Sequence, residues 1–177
     1  MKNQSNTSKE EKDLAQTPEW FISSVLNLLG LPSFDLDVCA LKATAKANYW
    51  YSLAERGDNS LILPWHTWNW CNPPFSSIAP WVEKAKDEAE LGKNTAMIMP
   101  NNPEVEYIRK AKTYADTIIE MPFRLKFLRP DGRKFLDKKG KEQSPQFSCL
   151  VAVFTPLGLR REVAHMYYDF REGFYER

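Results

Sequence analysis

Short apolar segments alternate with amphipathic helical segments along most of the chain, and this alternation most constrains its fold. The segments predicted as strands are residues 34–39, 68–71, 95–99, 117–121 and 146–154. The segments predicted as helices are residues 17–30, 43–49, 80–91 and 103–114. Because strands separated by helices pair side by side in one direction, the sequence predicts an α/β fold with a mainly parallel central sheet.

The chain has 177 residues, which is enough for one domain with a substantial core and too few for two ordinary domains. Residues 1–15 are polar and charged without periodicity, which predicts a disordered N-terminal segment. A single domain is predicted over residues 16–177. Its first helix starts at Thr17-Pro18, with threonine as the N-cap and proline at the first helical position. The charged and aromatic tail from Arg160 is predicted to form a closing helix.

Charge and the cysteine and histidine counts limit the classes of partner and site. The formal net charge is +1, so any footprint for nucleic acid must be local. Three distant cysteines and two histidines argue against a disulfide framework or a structural zinc site, and no metal is expected. No run of 18 apolar residues occurs and the N-terminus is unlike a signal peptide, which predicts a soluble cytoplasmic protein without membrane contact.

The tetrapeptide Asn72-Pro73-Pro74-Phe75 follows an apolar strand and precedes a helix. A proline-rich turn is the simple alternative, but ligand sites in open α/β sheets lie at this position, the carboxyl ends of strands. Such a turn suits chemistry on an amino nitrogen. An exocyclic amine such as that of adenine is a poor nucleophile, because its lone pair is delocalised into the ring, and two acceptors aimed at its hydrogens stabilise the positive charge that forms during attack. The Asn72 oxygen and the Pro73 carbonyl are predicted acceptors held by the paired prolines, with Phe75 as a face for a flipped base.

Seven short motifs follow one another along residues 16–155. In chain order they are Thr17-Pro18-Glu19-Trp20, Leu36-Asp37-Val38-Cys39-Ala40, Gly57-Asp58-Asn59-Ser60-Leu61, Trp70-Cys71-Asn72-Pro73-Pro74-Phe75-Ser76, Pro80-Trp81-Val82-Glu83-Lys84-Ala85, Ala96-Met97-Ile98-Met99-Pro100 and Arg124-Leu125-Lys126-Phe127. This order resembles the small phage-type DNA N6-adenine methyltransferases, a Dam-like family of amino-methyltransferases. The resemblance implies a Rossmann-like methyltransferase that uses S-adenosyl-L-methionine and is encoded by a phage or prophage in a bacterial host.

The same resemblance implies a set of cofactor contacts. In chain order they are Thr17, Pro18, Asp37, Cys39, Ala40, Asp58 and Asn72. The first two are expected to close over the methionine end of the cofactor, the next three to hold its amino-acid moiety, and Asp58 to accept from its adenine amine. The alternatives are a helix cap for Thr17, a small core residue for Cys39 and a turn-shaping role for Asp58. The loop at residues 37–42 departs from many methyltransferases because it contains no glycine.

Residues 123–142, hereafter the basic segment, carry eight basic side chains against three acidic ones. The alternating residues 124–128, the turn at Pro130-Asp131-Gly132 and a return at residues 133–136 predict a β-hairpin. Because phosphate neutralisation supplies most sequence-independent affinity, the basic segment is a candidate DNA contact, with a solvated hairpin as the alternative. The candidate DNA-binding residues are Arg124, Lys126, Arg129, Arg133 and Lys134.

The sequence therefore predicts an enzyme that transfers a methyl group from S-adenosyl-L-methionine to N6 of adenine in double-stranded DNA, by base flipping and direct transfer. Two alternatives remain open: an amino-methyltransferase acting on RNA or a protein glutamine, and a non-catalytic DNA-binding relative. The intact turn at residues 72–75 favours an enzyme, and the basic segment favours nucleic acid. Double-stranded DNA is the expected partner, with no obligate protein partner.

Overall fold

The computed structural model describes residues 8–137, 139–157 and 162–172. Within these ranges the helices are α1 (Lys9–Asp13), α2 (Glu19–Leu29), α3 (Leu53–Arg56), α4 (Ala79–Glu90) and α5 (Glu106–Tyr114). The strands are β1 (Phe34–Asp37), β2 (Ala47–Trp50), β3 (Trp68–Cys71), β4 (Asn94–Pro100), β5 (Thr117–Glu120), β6 (Cys149–Phe154) and β7 (Ala164–Tyr167). Lys138 of the basic segment and Arg160, where the tail starts, lie outside the described residues.

All seven strands belong to one sheet in the order β2-β1-β3-β4-β6-β5-β7. Strands β1 to β4 are parallel to one another, and β5 is parallel to β7. β6 is antiparallel to both β4 and β5, which makes it the one reversed strand of the described sheet. The predicted α/β fold with a mainly parallel sheet is therefore confirmed. The reversal places Cys149, the first residue of β6, beside Pro100 at the end of β4.

Alternate residues of the central strand β4 face opposite sides of the sheet. Met97 and Met99 are buried in the apolar cluster formed with α4 and α5. Ala96 and Ile98 are buried in a second cluster, which contains Phe21 of α2. Side chains of a strand alternate in this way with a period of two, and burial on both faces explains why β4 is a continuous apolar run.

The start of α2 differs from the prediction, whereas its end agrees. Pro18 is the N-cap and no side chain caps the first turn, so the prediction that Thr17 caps the helix is wrong. Thr17 precedes the N-cap, and its buried hydroxyl forms no hydrogen bond with the described residues. Gly30 ends the helix with φ 67°, a left-handed conformation that glycine adopts without steric cost.

The helix predicted at residues 43–49 is wrong, because Ala47–Trp50 forms the edge strand β2 parallel to β1. Just before it, the Leu41 N–H donates to Thr44 Oγ1 at 3.1 Å and closes a turn. Alanine and lysine favour a helix locally, but this propensity is a weak preference that pairing with a neighbouring strand overrides.

The basic segment turns where predicted but does not form the predicted β-hairpin. Leu128 and Lys134 form an isolated antiparallel bridge across the turn. Beyond it, the Gln143 N–H donates to the Phe135 carbonyl at 2.8 Å. The returning chain therefore pairs with the residues that follow it instead of extending a ladder with the first arm, and this explains why the described residues of the segment form no continuous hairpin.

Both ends of the chain contain structure that the sequence reading did not predict. The segment predicted to be disordered contains α1, where the Glu11 N–H donates to Ser8 Oγ at 3.1 Å and the Ser8 N–H donates to the Glu11 carboxylate at 3.3 Å. At the other end, β7 replaces the predicted closing helix and pairs with β5. Pairing with the edge of β5 gives the backbone groups of β7 hydrogen-bond partners.

Candidate active site

The carboxyl ends of β1, β2 and β3 lie side by side, because β1 pairs with both of the others. A cleft of about 320 Å³ opens at this edge, lined by the loops after these strands and by residues 13–17. The sequence-predicted residues that line it are Thr17, Asp37, Cys39, Ala40, Asp58, Asn72 and Pro74. Pro18, Pro73 and Phe75 are not part of the lining. The fold thus brings most of the predicted site together at one sheet edge.

Asn72 follows β3 directly and is half-buried at the cleft. Its Nδ2 donates to the carbonyl oxygen of Ala15 at 2.8 Å. Because hydrogen bonding distinguishes the two ends of an amide, this contact fixes which end of the Asn72 side chain is the oxygen. Asn72 Oδ1 has no hydrogen-bond donor among the described residues, so it remains available as an acceptor.

The two prolines and Phe75 give the turn its shape. The Ser77 N–H donates to the Pro74 carbonyl at 2.9 Å, whereas the Pro73 carbonyl receives no hydrogen bond from the described residues. Phe75 is held edge-on by Phe127 at 5.4 Å between ring centroids and by Phe147 at 5.8 Å. Pro73 therefore offers a second free acceptor beside Asn72, and the aromatic contacts fix the ring next to it.

Asp37, at the end of β1, is 2% exposed. Its carboxylate accepts from the Cys39 N–H at 3.2 Å and from the Lys46 N–H at 3.0 Å. Burial raises its pKa to about 6, because desolvation outweighs the lowering by these two hydrogen bonds and by the Lys46 charge, and the Glu19 carboxylate raises it further. A cation entering the cleft would favour the ionised carboxylate.

The loop after β1 presents Cys39 and Ala40 to the cleft without any unusual backbone conformation. Among the described residues, positive φ occurs only at glycines, so this loop takes its path with ordinary L-residues and does not require the glycines it lacks. The Ala40 N–H donates to the Tyr51 carbonyl at 3.1 Å, which joins the loop to the end of β2. Burial, with the nearby Asp37 and Asp13 charges, raises the pKa of the Cys39 thiol to about 12, so it remains a neutral group.

Two buried hydroxyls in the cleft lack hydrogen-bond partners. Thr17 is 1% exposed and Ser60 is 5% exposed, and both line the cleft. Neither Thr17 Oγ1 nor Ser60 Oγ forms a hydrogen bond with the described residues. An unpaired buried hydroxyl costs about 1–3 kcal/mol, which a polar ligand in the cleft would recover. The cleft therefore suits a polar ligand.

Asp58 forms an ion pair with Arg56 and also lines the cleft. Its Oδ2 lies 3.0 Å from Arg56 Nε, and the Ser52 N–H approaches the same oxygen at 3.5 Å. The Arg56 side chain is 51% exposed, so this ion pair is screened by solvent. Both the turn-shaping role and the role as an acceptor are compatible with this geometry.

The N-terminal segment (residues 8–17) is the main part of the site that was not predicted from the sequence. Besides the Ala15 contact, Asp13 accepts from the Ser76 N–H at 3.1 Å and from its hydroxyl at 2.6 Å, beside the turn. The backbone of Gln16 exchanges two hydrogen bonds with Leu128, each of 2.9 Å. A Ser-x-x-Glu capping box at residues 8–11 was the one local signal for order here. Lys46 also lines the cleft, and no sequence motif indicated that it would.

Four of the five candidate DNA-binding side chains form ion pairs. The pairs are Lys126–Glu142 at 3.0 Å, Lys134–Glu142 at 3.4 Å, Arg129–Glu11 at 2.6 Å and Arg133–Asp131 at 2.6 Å. Arg124 donates to the Pro145 carbonyl at 3.4 Å. The side chains of Arg133 and Lys134 are 76% and 63% exposed, so their pairs are weak and can be exchanged for phosphate. Phe127 in the basic segment touches Phe75, which places the segment beside the turn.

Two other features are absent from the described residues. No group of three or more histidine, cysteine, aspartate or glutamate side chains is arranged to hold a metal ion there. No helix in the described ranges has the length and apolar character needed to cross a membrane.

Comparison with known proteins identifies the family of this chain. The sequence profile of the DNA N-6-adenine-methyltransferase (Dam) family matches residues 4–164. The DNA N-6-adenine-methyltransferase of Haemophilus phage HP1 (strain HP1c1) is 31% identical over 102 residues, which are 57% of this chain. The matched region spans only 57% of that relative. The seven-stranded α/β sheet is consistent with a Rossmann-like methyltransferase fold. With the family profile matching most of its length, the chain belongs to the DNA N-6-adenine-methyltransferase (Dam) family.

Proposed function

We propose that this protein transfers the methyl group of S-adenosyl-L-methionine to N6 of adenine in double-stranded DNA. The base would first flip out of the duplex and lie at the edge of the cleft. A single methyltransferase domain over residues 16–177 is part of this proposal, and Asp13 at the end of α1 contacts that domain through Ser76. The family and the phage relative support this reaction, and they support an enzyme encoded by a phage or prophage that acts in the bacterial cytoplasm.

The observation that carries the proposal is the orientation of Asn72. The Ala15 carbonyl occupies its Nδ2, so Oδ1 is left as an acceptor. The Pro73 carbonyl is a second acceptor without a donor among the described residues. These oxygens would accept the two hydrogens of the adenine amine, draw electron density onto the nitrogen and stabilise the positive charge that forms on it. Neither oxygen needs to lose a proton before it can act.

The cofactor supplies the electrophilic methyl group, and the cleft supplies its binding site. Asp37, which ionises when a cation is near, would accept from the α-ammonium group. Thr17 Oγ1 and Ser60 Oγ would gain the hydrogen bonds they lack. The Asp58 carboxylate would accept from the adenine amine of the cofactor, and the backbone at Cys39 would pass close to its amino-acid end.

The basic segment would position the DNA. The side chains of Arg133 and Lys134 are more exposed than those of Lys126 and Arg129, so they would contact phosphates, and Lys126 would reinforce them. Arg129 is less exposed and is held by Glu11, so it would join the DNA contact only when that pair exchanges. Phe75 would stack with the flipped base, and its two aromatic neighbours would keep the ring in place.

The test is methyl transfer from radiolabelled cofactor into duplex DNA, RNA and protein, measured in parallel. We expect label in duplex DNA as N6-methyladenine. Asn72→Ala should lower kcat by roughly 100- to 1000-fold, as expected for loss of a preorganised polar group, with cofactor and DNA affinity largely kept. Asn48→Ala, an exposed change on the edge strand β2, is the matched control and should keep full activity. Label in RNA or protein alone, or near-full activity of Asn72→Ala, would contradict the proposal.

A further inference from the structure

Lys46 is a buried cation at the cleft with no role in the reaction described above. Its side chain is only 4% exposed, and the residue lies in the loop between β1 and β2. It is the only lysine, arginine or histidine among the described residues that line the cleft. The acidic side chains in the same lining are Asp13, Asp37 and Asp58. Lys46 is therefore the one described cation of this lining that could bind a negatively charged group of a ligand.

The protein partners of Lys46 do not exhaust its capacity. Its Nζ donates to Gln16 Oε1 at 3.1 Å and also contacts the Glu19 carboxylate. An ammonium group has three hydrogens, so one donor has no protein acceptor among the described residues. The Glu19 side chain is 76% exposed, so its pair with Lys46 is open to water and is readily exchanged for another anion.

The ligand proposed for this cleft carries three charges on its sulfur and amino-acid end: a sulfonium, an α-ammonium and an α-carboxylate. The backbone N–H of Lys46 donates to the Asp37 carboxylate, and the Lys46 charge lowers the pKa of the same carboxyl, so the cation and the buried carboxylate belong to one end of the cleft. Gln16 and Thr17 lie at the same end, because Lys46 Nζ bonds to Gln16. This end thus presents a cation and an anion near one another, which matches the opposite charges of a free amino acid.

We infer that Lys46 binds the α-carboxylate of S-adenosylmethionine while the neighbouring Asp37 binds its α-ammonium group. The inference rests on the proposed function, since it assumes that this cofactor occupies the cleft. The competing interpretation gives Lys46 only a structural task, which is to tie the start of α2 and the N-terminal segment to the β1–β2 loop. Under that interpretation, loss of Lys46 would weaken every ligand of the cleft alike.

Calorimetric titration with two ligands separates these interpretations. S-adenosylhomocysteine keeps the amino-acid end of the cofactor, whereas 5′-methylthioadenosine lacks it. We expect Lys46→Met to weaken S-adenosylhomocysteine by roughly 10- to 100-fold, the range of a charge-assisted hydrogen bond, and to change 5′-methylthioadenosine affinity by less than about twofold. An equal loss for both ligands, or no loss for either, would overturn the inference. Thermal unfolding of the variant verifies that it remains folded.

Two further variants complete the test. Lys42→Met removes an exposed lysine from the same loop, outside the cleft lining, and should leave both affinities unchanged. Glu19→Gln removes the anion that competes for Lys46, so S-adenosylhomocysteine should bind equally well or more tightly. If Glu19→Gln instead weakens it as much as Lys46→Met does, the ion pair is what matters and the inference is wrong. If the wild-type protein binds neither ligand, the proposed cofactor itself is refuted.

Discussion

Cofactor binding should release a proton from Asp37, because burial in the cleft gives this carboxyl a pKa of about 6. Burial is the main cause of the raised pKa, and the charges that face the group are Lys46 and Glu19. The α-ammonium of a bound ligand would add a cation within hydrogen-bonding distance of the carboxylate and lower that pKa again. A protonated Asp37 must then lose its proton as the ligand enters.

The size of the effect follows from the fraction of protein in which Asp37 is protonated. With a pKa near 6, that fraction is about 0.9 at pH 5, about 0.5 at pH 6 and about 0.1 at pH 7. We therefore expect S-adenosylhomocysteine to displace close to one proton per molecule at pH 5 and almost none at pH 8. Its affinity should rise as pH increases from 5 to 7 and level off above that range, because only the ionised carboxylate pairs with the ammonium.

Calorimetric titrations in two buffers of different ionisation enthalpy measure this proton release directly. The released fraction at each pH is obtained from the difference between the two apparent binding enthalpies. Asp37→Asn is the control: it keeps the size of the side chain, cannot titrate, and should show no proton release of this kind at any pH. Release that persists unchanged in Asp37→Asn, or wild-type binding without release at pH 5, would refute the role given to this carboxyl.

Three further predictions concern stability and ligand binding. Because folding raises the Asp37 pKa from 3.8 to about 6, its contribution to the unfolding free energy is complete below pH 3.8 and is lost as pH rises through 6. Urea denaturation should show this loss, about 3 kcal/mol in all, in the wild type and not in Asp37→Asn. Thr17→Val should weaken S-adenosylhomocysteine roughly 3- to 10-fold in calorimetry without lowering the melting temperature of the ligand-free protein, because the hydroxyl has no protein partner to lose. Ile98→Ala should lower the unfolding free energy measured in urea by about 2–5 kcal/mol, because it opens a cavity in the centre of β4.

The sequence was sufficient for those parts of the fold that local patterns specify. β3 and β4 are short, mainly apolar runs bounded by turn residues, so their positions and type follow from the local sequence. The turn at residues 72–75 could be placed at a strand end because Asn72 follows β3 directly and a proline pair comes next. All of the cofactor candidates except Pro18 then line one cleft, because β1 pairs with both β2 and β3.

The features that were missed depend on partners far away in the chain. β2 has a helix-favouring composition and becomes a strand only because β1 offers an edge. The hydrogen bond from Asn72 to Ala15 spans 57 residues, and the one from Gln16 to Arg129 spans 113. No window of local sequence contains both partners, so neither propensity nor periodicity can reveal such contacts. The direction of β6 was missed for the same reason, since its pairing with β4 is long-range.

The contacts of the N-terminal segment also have a consequence for biosynthesis. This segment leaves the ribosome long before Leu128, to which Gln16 bonds, and before Asn72, which Ala15 orients. Closing loops of this length costs entropy that only the assembled sheet can offset. The N-terminal segment is therefore translated early but docks late. In a nascent chain that ends before Leu128, the Asn-Pro-Pro-Phe turn would lack the docked Ala15 carbonyl that orients Asn72.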